Sequence, residues 1–367
     1  MIADYLIETI DNCRYCLMCR HTCPVGHVTH KESLTPHGWA LLIASTRRGL
    51  AVWNEETVDV LYQCSDCGNC HTHCVTEQPL PEAIVAARAE VVRLGLAPAV
   101  VGELDQALRE WGNPYVAEAP RGATGQGDTA LFVGDEARYL RPSSLESALR
   151  LLRAAGVEPV LIGDGLNNGY LAGSLGLPDT ARDLVRANLA ELQASGAQKL
   201  LVLSAGDYYA FQTMIEWRLE MKPQAGATVQ AVTALLAERL AEGRLPLRAA
   251  GPVAPYAYVD PTHANRVPGH HAAPRRLLDA VWPGGRRELF WREDRTHPAG
   301  NVALAFTQPA LAATLTRARL ADAAATGAQI VVTEDAGTLA HLERHAAEFG
   351  LAVRGLYELL ADHLPED

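Results

Sequence analysis

The sequence has no cysteine after residue 74, although the chain is 367 residues long. All eight cysteines lie before that point, so the long C-terminal part has no thiolate of its own. Thiolates bind soft metal centres and attack disulfides. Both kinds of chemistry are therefore confined to the N-terminal part of the chain.

The sequence also lacks an excess of positive charge and any long apolar run. It has 32 Lys and Arg against 43 Asp and Glu, a net charge of -11. Nucleic-acid binding and polybasic membrane anchoring both need clustered positive charge, so neither is expected. No apolar run approaches the ~18–20 residues that span a bilayer, and the first residues lack the features of a signal peptide. We expect a cytoplasmic protein, at most peripheral on the inner face of the membrane.

The eight cysteines form two groups with the same C-x₂-C-x₂-C-x₃-C spacing, which is typical of ligands for 4Fe-4S clusters. Three cysteines on one tight loop reach one cluster, and the fourth serves the other cluster. The spacing therefore predicts two 4Fe-4S clusters with crossed ligand sets. Cluster one is assigned Cys13, Cys16, Cys19 and Cys74, and cluster two is assigned Cys64, Cys67, Cys70 and Cys23.

Other uses of these cysteines fit less well. Disulfides are rare in the cytoplasm. Zinc sites use pairs of cysteines, which leaves the third, evenly spaced cysteine of each group unexplained. The segment from Cys67 to His71 matches the C-x-x-C-H of haem attachment, but both of its cysteines already serve the clusters. The first cysteine group is followed by Pro24, whereas the second is followed by Val75. All four cysteines of the second group are nevertheless present.

The segments around the cysteines have helical periodicity. Helices are predicted over 38–47 and 55–62, and Pro81 is placed to open a third. The apolar stripe of this third helix is Ile84, Ala87, Val91 and Leu94, and a fourth short helix carries Leu104, Leu108 and Trp111. Residues 119–128 are typical of a linker. We predict a helical ferredoxin domain over 1–98 and a helix and linker over 99–127.

The remainder of the chain contains a repeat. RANLAELQASGAQKLLVLSAGD from Arg186 aligns without a gap with RARLADAAATGAQIVVTEDAGT from Arg317, an offset of 131 residues. Each half reads strand, helix, strand, helix, strand, which is typical of a parallel α/β layer. We predict repeats over 128–250 and 251–367. The fold class is therefore α+β multidomain, with a helical two-cluster domain followed by a duplicated α/β domain.

This arrangement resembles the iron–sulfur subunits of glycolate oxidase, anaerobic glycerol-3-phosphate dehydrogenase and heterodisulfide reductase. Residues 33–38 (SLTPHG), 258–263 (YVDPTH) and 273–278 (APRRLL) are similar to segments of that family. The resemblance covers nearly the whole chain. It implies an electron-transfer subunit that works with a flavoprotein.

The sequence departs from the family in its repeats, which normally carry Cys-Cys-Gly. Thr262 replaces a cysteine before His263, and residues 297–300 (HPAG) stand where a Cys-Cys-Gly is expected. In the first repeat, residues 164–167 and 204–207 occupy the other expected positions. Without thiolates, heterodisulfide reduction and a third cluster of the usual kind are excluded. Such repeats are similar to those in partners of flavoenzymes that demethylate N-methyl amines.

The histidines leave alternatives open. Six lie near the cysteines and could donate hydrogen bonds to cluster sulfurs, or could be surface residues: His21, His27, His30, His37, His71 and His73. In the second repeat, a possible metal-binding group is His263, His270, His271 and His297, for which packing, docking or a remnant of a lost site are the alternatives. Residues 163–169 are one residue too long for a G-x-G-x-x-G motif and are expected to form a turn.

No catalytic residue is predicted. We expect an iron–sulfur subunit that relays electrons from a flavoprotein dehydrogenase to a quinone or an electron-transfer flavoprotein. Two alternatives are a reductase with its own active site in the repeats, and a structural or sensing iron–sulfur protein.

Overall fold

The structure is a computed structural model, and it describes residues 10–11, 13–14, 16–221, 227–251 and 253–365. Its N-terminal part is helical, as the periodicity predicts. The helix that begins at Pro36 is capped by Thr35, whose hydroxyl accepts from the Gly38 amide at 3.3 Å. Asn54 and Thr57 form a reciprocal capping box for the next long helix. The α-helices before the first strand are α1 Met18–Thr22, α2 Pro24–Thr29, α3 Pro36–Arg47, α4 Glu55–Tyr62, α5 Asn69–Thr72, α6 Leu80–Arg93 and α7 Ala99–Trp111.

The predicted third-helix stripe is right except at its end. Ile84, Ala87 and Val91 are buried, but Leu94 lies just beyond the end of α6 and is 45% exposed. The helix ends one residue earlier than the pattern indicates, because the chain turns at Gly95 with a φ of +72°.

The first repeat forms a parallel four-stranded sheet in the order β2-β1-β3-β4. Helices follow the strands and cover the sheet, as in other parallel α/β layers. In chain order the elements are β1 Thr129–Gly134, α8 Asp135–Tyr139, α9 Pro142–Ala154, β2 Val160–Asp164, α10 Tyr170–Leu175, α11 Pro178–Ser195, β3 Lys199–Val202, α12 Ala205–Tyr209, a π-helical segment Ala210–Met214, α13 Ile215–Trp217, β4 Thr228–Ala231 and α14 Val232–Ala241.

The second repeat forms a second parallel sheet in the order β6-β5-β7-β8. The two sheets have the same topology, and α17 and β7 each begin 131 residues after their counterparts α11 and β3. The elements are β5 Tyr256–Tyr258, α15 Ala272–Val281, β6 Arg286–Arg287, α16 Ala303–Thr307, α17 Pro309–Ala325, β7 Ile330–Thr333, α18 Ala336–His345, β8 Ala352–Gly355 and α19 Leu356–Ala361.

These sheets confirm the predicted α+β class and correct one detail of the repeat. Three strands per half are expected from the sequence, whereas four are present in the described part of each half. The additional strands β4 and β8 are four residues long, half polar and followed directly by helices. Their pairing along β3 and β7 fixes them as strands, and that pairing is not visible in local periodicity.

Alternate residues of the first sheet pack against different parts of the molecule. Ala130 and Phe132 of β1 belong to a core shared with the N-terminal helices. Leu131 and Val133 point to the other face and share a core with the second repeat, including Tyr258. The first sheet therefore lies between the cysteine-bearing helices and the second repeat. No helix among the described residues is long and apolar enough to cross a membrane. The residue limits of the domains stay a prediction.

Candidate iron–sulfur centre

Four of the eight cysteines surround one small cavity. Cys23, Cys64, Cys67 and Cys70 line it together with non-polar side chains that include Trp39. We refer to these four cysteines as the inner site. Three of them come from the second sequence group and one from the first, which is the combination that the spacing predicts.

The other four cysteines interact with one another nearer the surface. Burial, together with the charges of Cys13, Cys74 and Cys16, raises the pKa of the Cys19 thiol to about 11. Cys16 is exposed, whereas Cys13, Cys19 and Cys74 are partly buried. We refer to these four cysteines as the outer site. The structure thus brings together each of the two predicted ligand sets.

The inner site is suited to a positively charged metal cluster. Burial raises the pKa of all four of its thiols, to about 12 for Cys64, and neighbouring cysteines add to the rise for Cys23, Cys64 and Cys70. Four thiolates at this place therefore need positive charge among them, which the irons of a cluster would supply. The residues present fit the predicted cofactor.

A buried arginine beside the inner site supports the same interpretation. Arg88 is 1% exposed and donates to the backbone carbonyls of Cys64 at 2.6 Å, Leu61 and Ser174. It forms no ion pair with a carboxylate in the part of the chain that the structure describes. Buried charges are normally paired. Cysteine thiolates around a cluster would provide the negative charge that Arg88 otherwise lacks.

The loop that carries Cys64 and Cys67 is held by side chains from both repeats. Asp66, 2% exposed, binds Arg218 of the first repeat at 2.7 Å and Arg266 of the second at 3.1 Å. The Tyr170 hydroxyl donates to the same carboxylate at 2.7 Å. Burial alone would raise the pKa of Asp66, but the two arginines outweigh burial and hold it well below its usual range. The charged form of Asp66 therefore joins three parts of the molecule.

Amide side chains connect the same loop to the second repeat. Asn265 donates to the Cys67 carbonyl at 2.9 Å and to the Asn69 side chain at 2.7 Å. Asn69 in turn donates to the Thr296 carbonyl at 2.8 Å. All three residues are buried. Buried hydrogen bonds of this kind hold a loop in one conformation.

Backbone amides donate hydrogen bonds to sulfurs of the inner site. The Gly26 amide donates to Cys23 Sγ and the Asp66 amide donates to Cys64 Sγ, each at 3.4 Å. Cys23 is the N-cap of α2, so its sulfur lies at the positive end of that short helix. Such hydrogen bonds stabilise thiolate charge and adjust the potential of a bound cluster.

Several of the histidines near the cysteines bond to backbone carbonyls. His27 contacts the carbonyl of His21, His71 that of Gln78, and His73 that of Asn69. None of these three ring contacts is with a sulfur. The three histidines thus hold the loops around the cysteines in place. Their contacts give no support for direct hydrogen bonds to cluster sulfurs at these positions.

The four histidines of the second repeat lie in different surroundings. His263 packs on Tyr170, with ring centres 4.4 Å apart. His270 binds Glu334, and His297 contacts the Thr22 carbonyl at 3.1 Å. In the described residues, no group of three or more histidines, cysteines or acidic residues is arranged to hold a single metal ion. The alternative of a histidine metal group therefore finds no geometric support, and packing accounts for His297, which stacks on Trp291.

The residues that sequence reasoning missed are those that hold the inner loop. Asp66, Arg88, Arg218 and Arg266 are not part of any spacing motif, and their partners are between 24 and 200 residues away. The one local indication of these contacts is that Asp66, a charged residue, lies between two cysteines of a motif.

Comparison with known proteins supports the cysteine sites. Residues 9–77 match the family model of the 4Fe-4S dicluster domain. The chain is 26% identical over 336 residues to one of the subunits of the dihydromethanophenazine:CoB--CoM heterodisulfide reductase of Methanosarcina barkeri, covering 84% of this chain and 79% of the relative. The corresponding subunit from Methanosarcina mazei is 25% identical over 76% of this chain and 71% of the relative.

Two further similarities are looser. A probable membrane-anchored ferredoxin of Chromohalobacter salexigens is 25% identical over 70% of this chain and 39% of its own length. A crystal structure of a hypothetical protein from Helicobacter pylori superposes with a TM-score of 0.66 at 10% identity, covering all of this chain and 74% of that one. The latter shows a shared fold. Together the comparisons confirm the resemblance to iron–sulfur subunits of the heterodisulfide reductase type.

Proposed function

We propose that this chain is the electron-transfer subunit of a multi-subunit dehydrogenase and holds two 4Fe-4S clusters, one at the inner and one at the outer cysteine site. The observation that carries the proposal is the crossed grouping of the cysteines. Cys23 lies with Cys64, Cys67 and Cys70, while Cys74 interacts with the cysteines of the first group. Crossing brings the two sites close together on a shared set of loops.

When bound, such clusters take up and release electrons one at a time. The chain's own residues set the conditions for this. Arg88 and the amides at Cys23 and Cys64 stabilise negative charge at the inner site. The Asp66 ion pairs keep the loop in one conformation, so that little reorganisation accompanies a change of charge.

The outer site is where electrons would enter or leave. Cys16 is exposed, and two apolar side chains beside the outer cysteines are exposed as well: Met18 at 46% and Val75 at 79%. Exposed apolar groups around a redox site suit transient docking. We propose that the flavoprotein partner of the dehydrogenase docks here, and that a quinone or an electron-transfer flavoprotein is the final acceptor.

The repeats lack the thiolates needed for disulfide chemistry, so the reaction named for the Methanosarcina proteins is not proposed for this chain. A reductase with its own active site and a purely structural iron–sulfur protein are the alternatives. The first predicts turnover of a small substrate by the isolated chain. The second predicts clusters that are lost when they are reduced.

Four single substitutions test the crossed assignment. The protein is purified without oxygen, iron and sulfide are counted, and the two reduced-cluster signals are recorded by electron paramagnetic resonance. Cys16→Ala and Cys74→Ala should weaken the same signal, and Cys67→Ala and Cys23→Ala should weaken the other. If Cys16→Ala and Cys23→Ala instead affected one signal together, the ligand sets would be uncrossed and the proposal would be wrong.

A further inference from the structure

A second cavity lies between the two repeats, at the carboxyl ends of the central strands of both sheets. Asp135 and Glu136 follow β1, Asp207 lies just after β3, and Glu334 and Asp335 follow β7. In parallel α/β sheets, this edge is where ligands bind. The duplication places the two edges opposite each other, so a single cavity receives acidic side chains from both repeats.

Most of these carboxylates have no cationic partner among the described residues, and Glu334 is the exception because it binds His270. Among the described residues that line it, none is an arginine or a lysine. The hydrogen-bond partners of Asp135 and Asp207 are neutral: Asn167 donates to Asp135 at 2.8 Å, and Asn168 donates to Asp207 at 2.8 Å. Burial, and then repulsion from neighbouring carboxylates, raises the pKa of Glu136 well above its usual value. A cation bound in the cavity would stabilise the charged form of these carboxylates.

An independent observation points to a ligand. His263 lines the cavity and is 3% exposed, yet its Nε2 has no hydrogen-bond partner among the described residues. Glu334, 2% exposed, likewise has one carboxylate oxygen, Oε2, without a partner. Buried polar atoms are nearly always satisfied by protein, water or ligand. Two residues that line the cavity, His263 and Glu334, therefore each have a buried polar atom that can accept a hydrogen bond from a ligand.

The shape of the cavity limits the size and kind of donor. Its volume is about 70 Å³. A water needs roughly 10–15 Å³ on this measure, so the cavity has room for a compound of about five non-hydrogen atoms. Tyr115, Tyr170 and Phe306 contribute aromatic surface, which attracts organic cations. The acidic groups are not arranged to hold a single metal ion in the described part of the chain.

We propose that the cavity between the repeats binds a small organic ammonium ion, held by Asp135, Glu136, Asp207 and Glu334 and by a hydrogen bond to His263. The cavity also adjoins the inner cysteine site, because Tyr170 lines it and donates to Asp66. An ammonium ligand would thus bind next to a residue that holds the cysteine-bearing loop. The proposal concerns binding and does not rest on electron transfer.

Isothermal titration calorimetry on the intact, cluster-loaded chain at pH 8 tests it. The probe is trimethylammonium, and the neutral control of similar size is tert-butyl alcohol. We expect saturable binding of trimethylammonium and none of the alcohol. Asp207→Asn should weaken trimethylammonium binding about tenfold, since a charged contact is lost while the shape is kept. Asp183→Asn removes the same charge from the exposed surface of α11 and should leave the affinity within about twofold.

Asp135→Asn serves as a second variant if Asp207→Asn loses iron or helical circular dichroism. Equal affinity of trimethylammonium for the wild type and both cavity variants would overturn the proposal. So would an absence of saturable binding, or magnesium ions binding more tightly than trimethylammonium at the same carboxylates. Failure of electron transfer in the crossed-cysteine variants would leave this result unaffected, so the two proposals can fail separately.

Discussion

Gly68 lies on the cysteine-bearing loop, against Arg266 of the second repeat. Its φ is +87°, and a Cβ placed there would lie 2.2 Å from Nε of Arg266. Gly68→Ala would therefore strain the backbone and displace an arginine that binds Asp66. We expect a loss of about 2–4 kcal/mol in the free energy of unfolding, measured by chemical denaturation, together with lower iron content.

Gly95→Ala is the matched control for this change. Gly95 has a similar φ of +72°, but nothing lies within 4 Å of the Cβ it would gain. Gly95→Ala should therefore lower the free energy of unfolding by only about 1 kcal/mol, the cost of the backbone strain, and should leave the iron content unchanged. Equal losses in the two variants would show that the contact with Arg266 contributes nothing.

Arg88 provides a second test at the residue scale. Its buried positive charge lies against the Cys64 carbonyl and favours negative charge at the inner site. Arg88→Met should make the inner cluster harder to reduce, shifting its midpoint potential to more negative values. A loss of about 1.4 kcal/mol would appear as roughly 59 mV for one electron. The measurement is a redox titration followed by electron paramagnetic resonance.

Arg150→Met is the control for the charge change, since Arg150 is exposed on α9. Arg150→Met should not change the midpoint potential of the inner cluster. An unchanged potential in Arg88→Met would mean that this arginine has only a packing role, since its guanidinium also lies 5.0 Å from the centre of the Tyr62 ring.

At the residue scale the sequence predicts the eight cysteines because their spacing is a local pattern. It does not predict Arg88, Arg218 or Arg266, since nothing near these residues in the sequence indicates a buried partner. Arg218 meets Asp66 across 152 positions, and that pairing exists only once the repeats have packed against the loop. Buried ion pairs of this kind follow from the tertiary fold.

At the scale of elements, the junction between α5 and the second repeat depends on buried amides. Asn265→Ala would remove the hydrogen bonds to the Cys67 carbonyl and to Asn69. Leaving these buried groups unsatisfied should cost about 1–3 kcal/mol of unfolding free energy and reduce the iron held at the inner site. Denaturation and an iron assay check both effects.

Gln193→Ala serves as the control because Gln193 is an exposed amide on α11. It should change the unfolding free energy by less than about 0.5 kcal/mol. If Asn265→Ala behaved in the same way, the amide contacts would not hold the loop.

Elements with strong local signals are predictable here, and those without them are not. The helix Glu55–Tyr62 has the predicted bounds, because Asn54 and Thr57 form its cap and its apolar residues fall on one face. The strands β4 and β8 were missed because Thr228–Ala231 and Ala352–Gly355 are short and partly polar. Their strand character comes from pairing along a neighbour.

For the whole molecule, the acidic cavity makes stability depend on pH. Burial raises the pKa of Asp135 to about 6 and that of Asp207 to about 7. A carboxyl whose pKa is raised in the folded state stabilises that state while protonated, and this stabilisation is lost as pH rises through the folded-state pKa. The free energy of unfolding should therefore fall between about pH 4 and pH 7, by at most about 1.4 kcal/mol per pH unit for each group.

Asp207→Asn should flatten this fall, since the amide does not ionise, and Asp183→Asn should leave it unchanged. The measurement is denaturation at several pH values with the iron content verified at each. A slope that is identical in Asp207→Asn and the wild type would show that the cavity carboxylates do not control the pH dependence.

The duplication is visible in the sequence, but the packing of its two halves is not. The offset of 131 residues predicts two similar layers, and both layers are present with the same strand order. That their acidic edges share one cavity, and that the first sheet packs on the cysteine-bearing helices, depends on contacts between distant segments.

The central claim is that two clusters in this chain exchange electrons reversibly. An anaerobic redox titration of the purified chain, followed by electron paramagnetic resonance with iron and sulfide counted, tests it most directly. We predict about eight irons and eight sulfides per chain and two interacting signals that disappear on reoxidation and return on a second reduction. Zinc in place of iron, or clusters that collapse on the first reduction, would contradict electron transfer and leave a structural metal protein.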